Sequence, residues 1–282
     1  MSDTGALPSS PALPTTPVRV GVFDSGVGGL SVLRAIRGEL PHASLIYVAD
    51  SAHAPYGERD EAYVVDRSLR IATFLKAQQV DAIVVACNTA TAAAVHALRA
   101  RWPDFPIIGV EPGIKPALAQ SANRRVGVMA TPGTLASLKF KALVAQHTQG
   151  DASLVLQACP GLAREIEHGA LDRPELRALA HTFCEPLRQA GVDTVVLGCT
   201  HYPFIRALLQ HELGPDVTLL DTAEAVARRT ASLLQSAGAA QPVAFVTDEA
   251  TTSLWTTGQP AHLDDIARNW LGWHLQAQHL EV

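Results

Sequence analysis

Short apolar, β-branched runs alternate along this chain with longer stretches in which apolar residues recur every three or four positions. The short runs predict strands at 18–23, 44–49, 82–86, 107–110, 126–129, 152–156, 194–197 and 217–220. The longer stretches predict helices at 63–79, 90–101, 134–146, 174–190, 203–213 and 223–236. Residues 245–272 read as one more strand, turn and helix. Strands alternating with helices call for parallel sheets covered on both faces. Residues 1–17, rich in Pro, Ser and Thr, carry neither period. They lack the basic start and long apolar run of a secretory signal, so they read as a disordered tail.

The pattern also repeats. R-V-G-V-F-D-S-G-V-G (19–28) matches R-V-G-V-M-A-T-P-G-T (125–134), and V-D-A-I-V-V-A-C-N-T (80–89) matches V-D-T-V-V-L-G-C-T-H (192–201). Two copies are too few for a solenoid. They predict an α/β fold of two similar, doubly wound parallel-sheet domains in a pseudo-symmetric arrangement, with a site between them. A length of 282 residues suits two such domains. The expected division is 18–110 plus 222–282 for one and 111–221 for the other.

Composition narrows the function. Hydrophobic residues make up 48%, enough for a sizeable core, and the net charge of −5 leaves no basic footprint for nucleic acid. No apolar run nears the roughly 18 residues that span a bilayer, so no membrane partner and a cytoplasmic location are expected. The four cysteines are Cys87, Cys159, Cys184 and Cys199. None forms C-x-x-C and no histidine stands at zinc-finger spacing, which argues against structural zinc. Without an export signal a disulfide framework has no support. Cys184, within a helical pattern, and Cys159 read as small buried hydrophobes.

Cys87 and Cys199 stand apart because they end matched phrases. In a parallel sheet, ligands gather beyond the carboxyl ends of the strands, and Asp24, Ser25, Cys87, Thr131 and Cys199 all fall there. Asn88 or Thr89, and Thr200, read as helix caps, which would place each thiol at a positive helix end that favours the thiolate. A lone strand-end cysteine is as often packing as chemistry; a matched pair with polar followers favours chemistry. Two opposed thiols could form a disulfide, or act as acid and base on opposite faces of one carbon, the geometry that inverts a stereocentre.

Other motifs are weaker alone. G-V-G-G-L-S fits neither the phosphate loop nor G-x-G-x-x-G, and Ser25 is not in a nucleophile elbow. Asp24 and Ser25 compete with an ordinary turn-and-cap reading, although a carboxylate beside a thiol could share its proton. D-S-A-H-A-P-Y-G reads as a loop in which Tyr56 and Gly57 could close over a small ligand. Thr131 and Thr134 open a helix, where a carboxylate would be welcome. His201, two residues past a cysteine, could tune or relay protons. Glu167 looks like part of a solvated helix face. The lysines, Lys76, Lys115, Lys139 and Lys141, give no anchor for a pyridoxal cofactor.

F-D-S-G-V-G-G-L-S, A-P-Y-G, A-C-N-T-A, G-V-E-P-G and G-C-T-H-Y-P, in this order and spacing, resemble glutamate racemases from about residue 18 to about residue 220. The resemblance implies cofactor-independent inversion of L- to D-glutamate, feeding peptidoglycan synthesis, with no metal. It implies that Cys87 and Cys199 transfer protons, with Asp24 assisting Cys87, and His201 and Glu167 assisting Cys199. It places Asp24, Ser25, Tyr56, Gly57, Asn88, Thr89, Thr131, Thr134, Thr200 and His201 around the glutamate. By the same resemblance Cys199 faces the L-enantiomer and Cys87 the D-enantiomer. Family members are often dimers, so a homodimer is an expectation. The alternatives are a racemase for aspartate or another amino acid, disfavoured because related aspartate enzymes carry G-C-T-E where this chain has G-C-T-H, and a two-domain amino-acid binding protein without chemistry.

Overall fold

The computed structural model describes residues 18–147, 153–236 and 251–282. The tail expected at 1–17, the first residue of the strand expected at 152–156 and the opening of the run at 245–272 lie outside the described residues. In chain order the elements are β1 (Arg19–Asp24), α1 (Leu30–Glu39), β2 (Ser44–Ala49), α2 (Glu61–Ala77), β3 (Ala82–Val85), α3 (Asn88–Arg101), β4 (Ile107–Gly109), α4 (Ile114–Gln120) and β5 (Arg125–Ala130). There follow α5 (Pro132–Ala136), α6 (Leu138–His147), β6 (Ser153–Ala158), α7 (Leu162–Glu167), α8 (Pro174–Gln189), β7 (Thr194–Gly198) and α9 (Arg206–Leu213). The chain closes with β8 (Thr218–Leu220), α10 (Ala223–Ser236), β9 (Thr252–Thr256), α11 (Pro260–Leu271) and β10 (Ala277–His279).

Two parallel sheets result, ordered β10-β9-β2-β1-β3-β4 and β6-β5-β7-β8. Removing β9 and β10 leaves the order 2-1-3-4 against 6-5-7-8, so the repeated phrases occupy equivalent strands: β1 with β5, β3 with β7. Central strands such as β1 and β3 are apolar and buried on both faces, which is why they read as continuous runs rather than alternating ones.

Each sheet is sandwiched. One face of the first carries Val20, Val22 and Leu254 against Leu33 of α1, Leu234 of α10 and Ile266 of α11. Its other face carries Phe23, Val48 and Ile83 against Ile71 of α2 and Val95 of α3. Val195 and Leu197 of β7 pack on α8, whose buried Leu176, Ala180, Phe183, Cys184 and Leu187 follow the helical repeat. Val126, Val128 and Val196 pack on Ile114 of α4 and Phe140 of α6. Each buried Leu of this kind contributes about 2 kcal/mol.

One expected helix is broken. Residues 134–146 divide at Ser137, whose backbone is extended. Its hydroxyl donates to the Thr134 carbonyl (2.8 Å) and accepts the Phe140 N–H (3.1 Å), ending α5 and opening α6 together. The short α4 and the edge strand β10 had no expectation; each has too few residues to show a period. No helix among the described residues is long and apolar enough to cross a membrane.

Candidate active site

Where the order of each sheet reverses, between β1 and β3 and between β5 and β7, the strand ends splay and leave a crevice. The carboxyl ends of these four strands and the residues just past them carry Asp24–Ser25, Cys87, Thr131 and Cys199, and the two sets face one another. A narrow crevice, partly open to solvent, is lined by Ser25, Tyr56, Gly57, Cys87, Asn88, Thr89, Thr131, Glu167, Cys199, Thr200 and His201, together with Ala54, Pro55 and Ala163. Of the expected residues only Asp24 and Thr134 stand behind this lining.

On the first side Cys87 is itself the N-cap of α3; its sulfur accepts the Ala90 N–H at 3.4 Å. The cap expected at Asn88 or Thr89 is therefore one residue earlier. The thiol donates to the Ser25 hydroxyl at 3.6 Å, and that hydroxyl donates to Asp24 Oδ1 at 3.0 Å. Gly26 N–H also reaches Oδ1 (3.0 Å), while Thr200 from the other side donates to Oδ2 (2.6 Å). Burial pushes the Asp24 carboxyl above the usual carboxylate range, against the pull of the His201 charge and the Thr200 bond. Burial also pushes the Cys87 thiol up to about 12, and the neighbouring Asp24 adds to it. The expected helix-end thiolate is thus corrected: desolvation outweighs the dipole, and Cys87 rests as a thiol.

The second side is built differently. Cys199 is followed by a 3₁₀ turn, Tyr202–Ile205, rather than by an α-helix capped at Thr200. Its sulfur lies 3.5 Å from His201 Nδ1, and His201 Nε2 is bound to Glu167 Oε1. Burial disfavours a charged imidazole here, but the hydrogen bonds to Cys199 and Glu167 outweigh it and hold the pKa well above the ordinary value. Glu167 is not a solvated residue: its side chain is only 15% exposed, and Oε1 also accepts the Val27 N–H at 2.7 Å. The solvated-face expectation failed because α7 lies in the crevice.

That contact explains the glycine cluster, which fits no nucleotide-binding motif. A Cβ on Gly26 would fall 1.9 Å from Glu167 Oε1, and one on Gly28 would fall 2.3 Å from His201 Nδ1. Only backbone without side chains fits between the two halves there. Tyr47, absent from the sequence-based expectations, holds this loop by donating to the Gly26 carbonyl at 2.6 Å; a lone Tyr in an apolar strand gave no signal.

A third group closes the crevice. The Thr89 hydroxyl lies 2.9 Å from that of Thr131 and 3.4 Å from that of Thr134, and Thr131 and Thr134 lie 3.0 Å apart. Gly57 rests on this trio: its added Cβ would meet Thr131 at 2.8 Å. The Tyr56 hydroxyl points away from the cavity, donating to Asp50 Oδ2 at 2.5 Å. Asp50 is in turn held by Arg67 (2.8 Å) and Thr257 (2.9 Å). Tyr56 therefore lines the site with its ring, and the Asp50–Arg67 pair that anchors it has no sequence signal, because its partners lie far apart along the chain.

A crevice with a thiol on each wall is a geometry suited to moving a proton between the two faces of one carbon, as inversion by an amino-acid racemase demands. The model for Asp/Glu/Hydantoin racemases matches residues 30–230, and the chain belongs to that family. Within it, the glutamate racemase of Pseudomonas syringae pv. tomato is 51% identical over 230 residues, 82% of this chain and 83% of that protein. The glutamate racemase of Ectopseudomonas mendocina is 55% identical over 216 residues, 76% of this chain and 81% of that protein. Among solved structures, Bacillus anthracis glutamate racemase RacE1 superposes with a TM-score of 0.82 at 34% identity, covering 95% of this chain and 98% of that one. Escherichia coli glutamate racemase, solved with L-glutamate and the activator UDP-MurNAc-ala, gives 0.83 at 33% identity, covering 95% and 99%.

Proposed function

We propose that this chain interconverts L- and D-glutamate by moving the α-proton between Cys87 and Cys199, and so supplies D-glutamate for cell-wall peptidoglycan. The observation that carries the reading is that both thiols line one crevice from equivalent strand ends of different sheets. The α-proton of an amino acid is weakly acidic, so the site must stabilise the carbanion that forms. The hydroxyls of Thr89 and Thr131, and the unpaired N–H groups that open α3 at Asn88 and Thr89, are placed to hold the substrate carboxylate. Ser25, Thr200 and the ring of Tyr56 complete the enclosure, with Gly57 pressed on Thr131 to exclude water.

For the L-enantiomer, the Cys199 sulfur takes the α-proton, with the His201–Glu167 pair balancing charge. The Cys87 thiol then gives its proton to the opposite face; the Ala90 N–H and the Ser25 hydroxyl steady the sulfur left behind, while the neighbouring Asp24 favours the return of a proton to it. The reverse direction exchanges the two roles. Domain limits of 18–110 plus 222–282 and 111–221 accord with the sheet order, since β9 and β10 extend the first sheet. A cytoplasmic location belongs to the same reading.

The test is proton NMR of the purified protein with L-glutamate in deuterated water, with optical rotation followed in parallel. Loss of the α-proton signal together with loss of rotation is expected. Folded protein that causes neither would leave the binding-protein alternative. A faster reaction with aspartate would move the assignment to that substrate.

A further inference from the structure

Three tyrosines are completely buried: Tyr47, Tyr56 and Tyr202. Two spend their hydroxyls on oxygen acceptors, Tyr47 on the Gly26 carbonyl at 2.6 Å and Tyr56 on Asp50 at 2.5 Å. The Tyr202 hydroxyl is different: it has no hydrogen-bond partner in good geometry. Burying an unpaired hydroxyl is costly, and a phenylalanine ring would fill the same space without that cost. The polar groups facing this oxygen are the thiols of Cys159 and Cys199. All three residues belong to one buried cluster with Leu162 and Ile166 of α7. The ring is also tied to the thiol through the backbone, because Tyr202 N–H donates to the Cys199 carbonyl at 3.1 Å.

A thiol is a poor acceptor, whereas a thiolate is a strong one, since bonds to ionised groups are roughly twice as strong. The hydroxyl is thus poorly matched to Cys199 as a thiol and well matched to it as a thiolate. Resting on the two-thiol reading above, we propose that Tyr202 is a positioning residue for Cys199: its buried, unpartnered hydroxyl, in the same buried cluster as the sulfur, donates to it when it is anionic. The corresponding hydroxyl for Cys87 is Ser25, which lines the crevice. Cys159 is the other thiol that faces the phenol, but its own thiol donates to the Gln157 carbonyl at 3.5 Å.

The experiment is Tyr202→Phe, with α-deuterated L- and D-glutamate as substrates. Enantiomers have equal free energy, so kcat/KM must stay equal in the two directions; the isotope effects need not. We expect kcat/KM to fall about tenfold, the scale of one hydrogen bond to a charged group, with Tm unchanged or raised, since the variant no longer buries an unpaired hydroxyl. The isotope effect should rise with the enantiomer that Cys199 deprotonates and fall with the other, because the step at Cys199 becomes limiting. Unchanged kcat/KM, or a loss with both isotope effects moving together, overturns the proposal. A Tm lowered by several degrees with unaltered kinetics also overturns it, since the hydroxyl would then serve the fold. Cys199→Ser separates the two levels: if that variant retains full activity the two-thiol reading fails, whereas an inactive Cys199→Ser beside a wild-type-like Tyr202→Phe removes only the positioning role of Tyr202.

Discussion

The surroundings of Cys87 and Cys199 differ far more than their matched phrases do. Both cysteines end a central strand at the point where the sheet order reverses. Cys87 then caps a long helix and faces a neutral hydroxyl, with the Asp24 carboxyl one bond further on. Cys199 enters a short 3₁₀ turn and faces an imidazole clamped by Glu167. The repeat has kept the backbone, which sets the two sulfurs on opposite walls, and has let the partners diverge. The backbone supplies two-sidedness; the partners set the electrostatics of each wall. Cys87 is held as a thiol and a charged imidazole stands beside Cys199, so under the two-thiol mechanism proposed above the two walls start from different electrostatic settings.

The largest effect should come from removing either sulfur. Cys87→Ser and Cys199→Ser are each expected to lower racemisation about a thousandfold, within the range for losing a positioned acid or base, while leaving thermal melting close to wild type. Full activity in either variant would show that one wall suffices. Changing the partners should cost less, about a hundredfold for His201→Asn or Asp24→Asn, and should split by direction. His201→Asn ought to raise the isotope effect with α-deuterated L-glutamate, Asp24→Asn that with the D-enantiomer. Identical patterns in the two variants would mean that the partners serve the crevice in common and not one wall each.

Much of this comparison was legible in the sequence, and the rest was hidden for physical reasons. Strand-end placement of Asp24, Cys87, Thr131 and Cys199 follows from apolar runs and chain order alone. The repeated phrases revealed the paired sheets because both copies had to keep the same strand register. What sequence could not supply was burial at the crevice. Glu167 looks solvated on its helix until His201 and the glycine loop pack over it. The helix dipole at Cys87 argues for a thiolate until desolvation is counted. Tyr56 reads as part of a loop that closes over a small ligand, and nothing local shows that its hydroxyl is taken by Asp50. Each miss concerns a group whose state depends on residues brought in by the fold or on the loss of water, neither of which has a local pattern.

The glycine loop offers a smaller, steric probe of the Cys199 wall. Gly28→Ala would set a methyl 2.3 Å from His201 Nδ1, and His201 cannot retreat freely because Glu167 holds its other nitrogen. We expect kcat to fall about tenfold, with a stability loss of about 1–3 kcal/mol for the overpacked contact. Gly38→Ala, where nothing lies within 4 Å, is the matched control and should leave kcat unchanged. Equal kcat for Gly28→Ala and wild type would mean that the His201–Glu167 pair is not held rigidly against the loop.

The smallest expected effect concerns stability and bears on the other wall. A thiol ionises near 8.5 in an unfolded chain, whereas the folded protein holds Cys87 up to about 12. Below about pH 8.5 both states keep the proton, and the fold suffers no penalty from this group. Between those values the unfolded chain binds fewer protons than the folded one, so stability falls as pH rises. His201 has the same sign, since its folded pKa is also raised: its contribution is complete below its unfolded value near 6.5 and fades as pH climbs. The wild-type melting temperature should therefore decline from about pH 8 towards about pH 10.5, and the decline should be shallower by a few degrees in Cys87→Ala. Other groups also contribute to the pH dependence, so the difference between the two slopes, and not either slope alone, is what counts. Parallel slopes would mean that Cys87 ionises in the folded protein as readily as in the unfolded chain, and the two walls would then lose the asymmetry that their partners appoint.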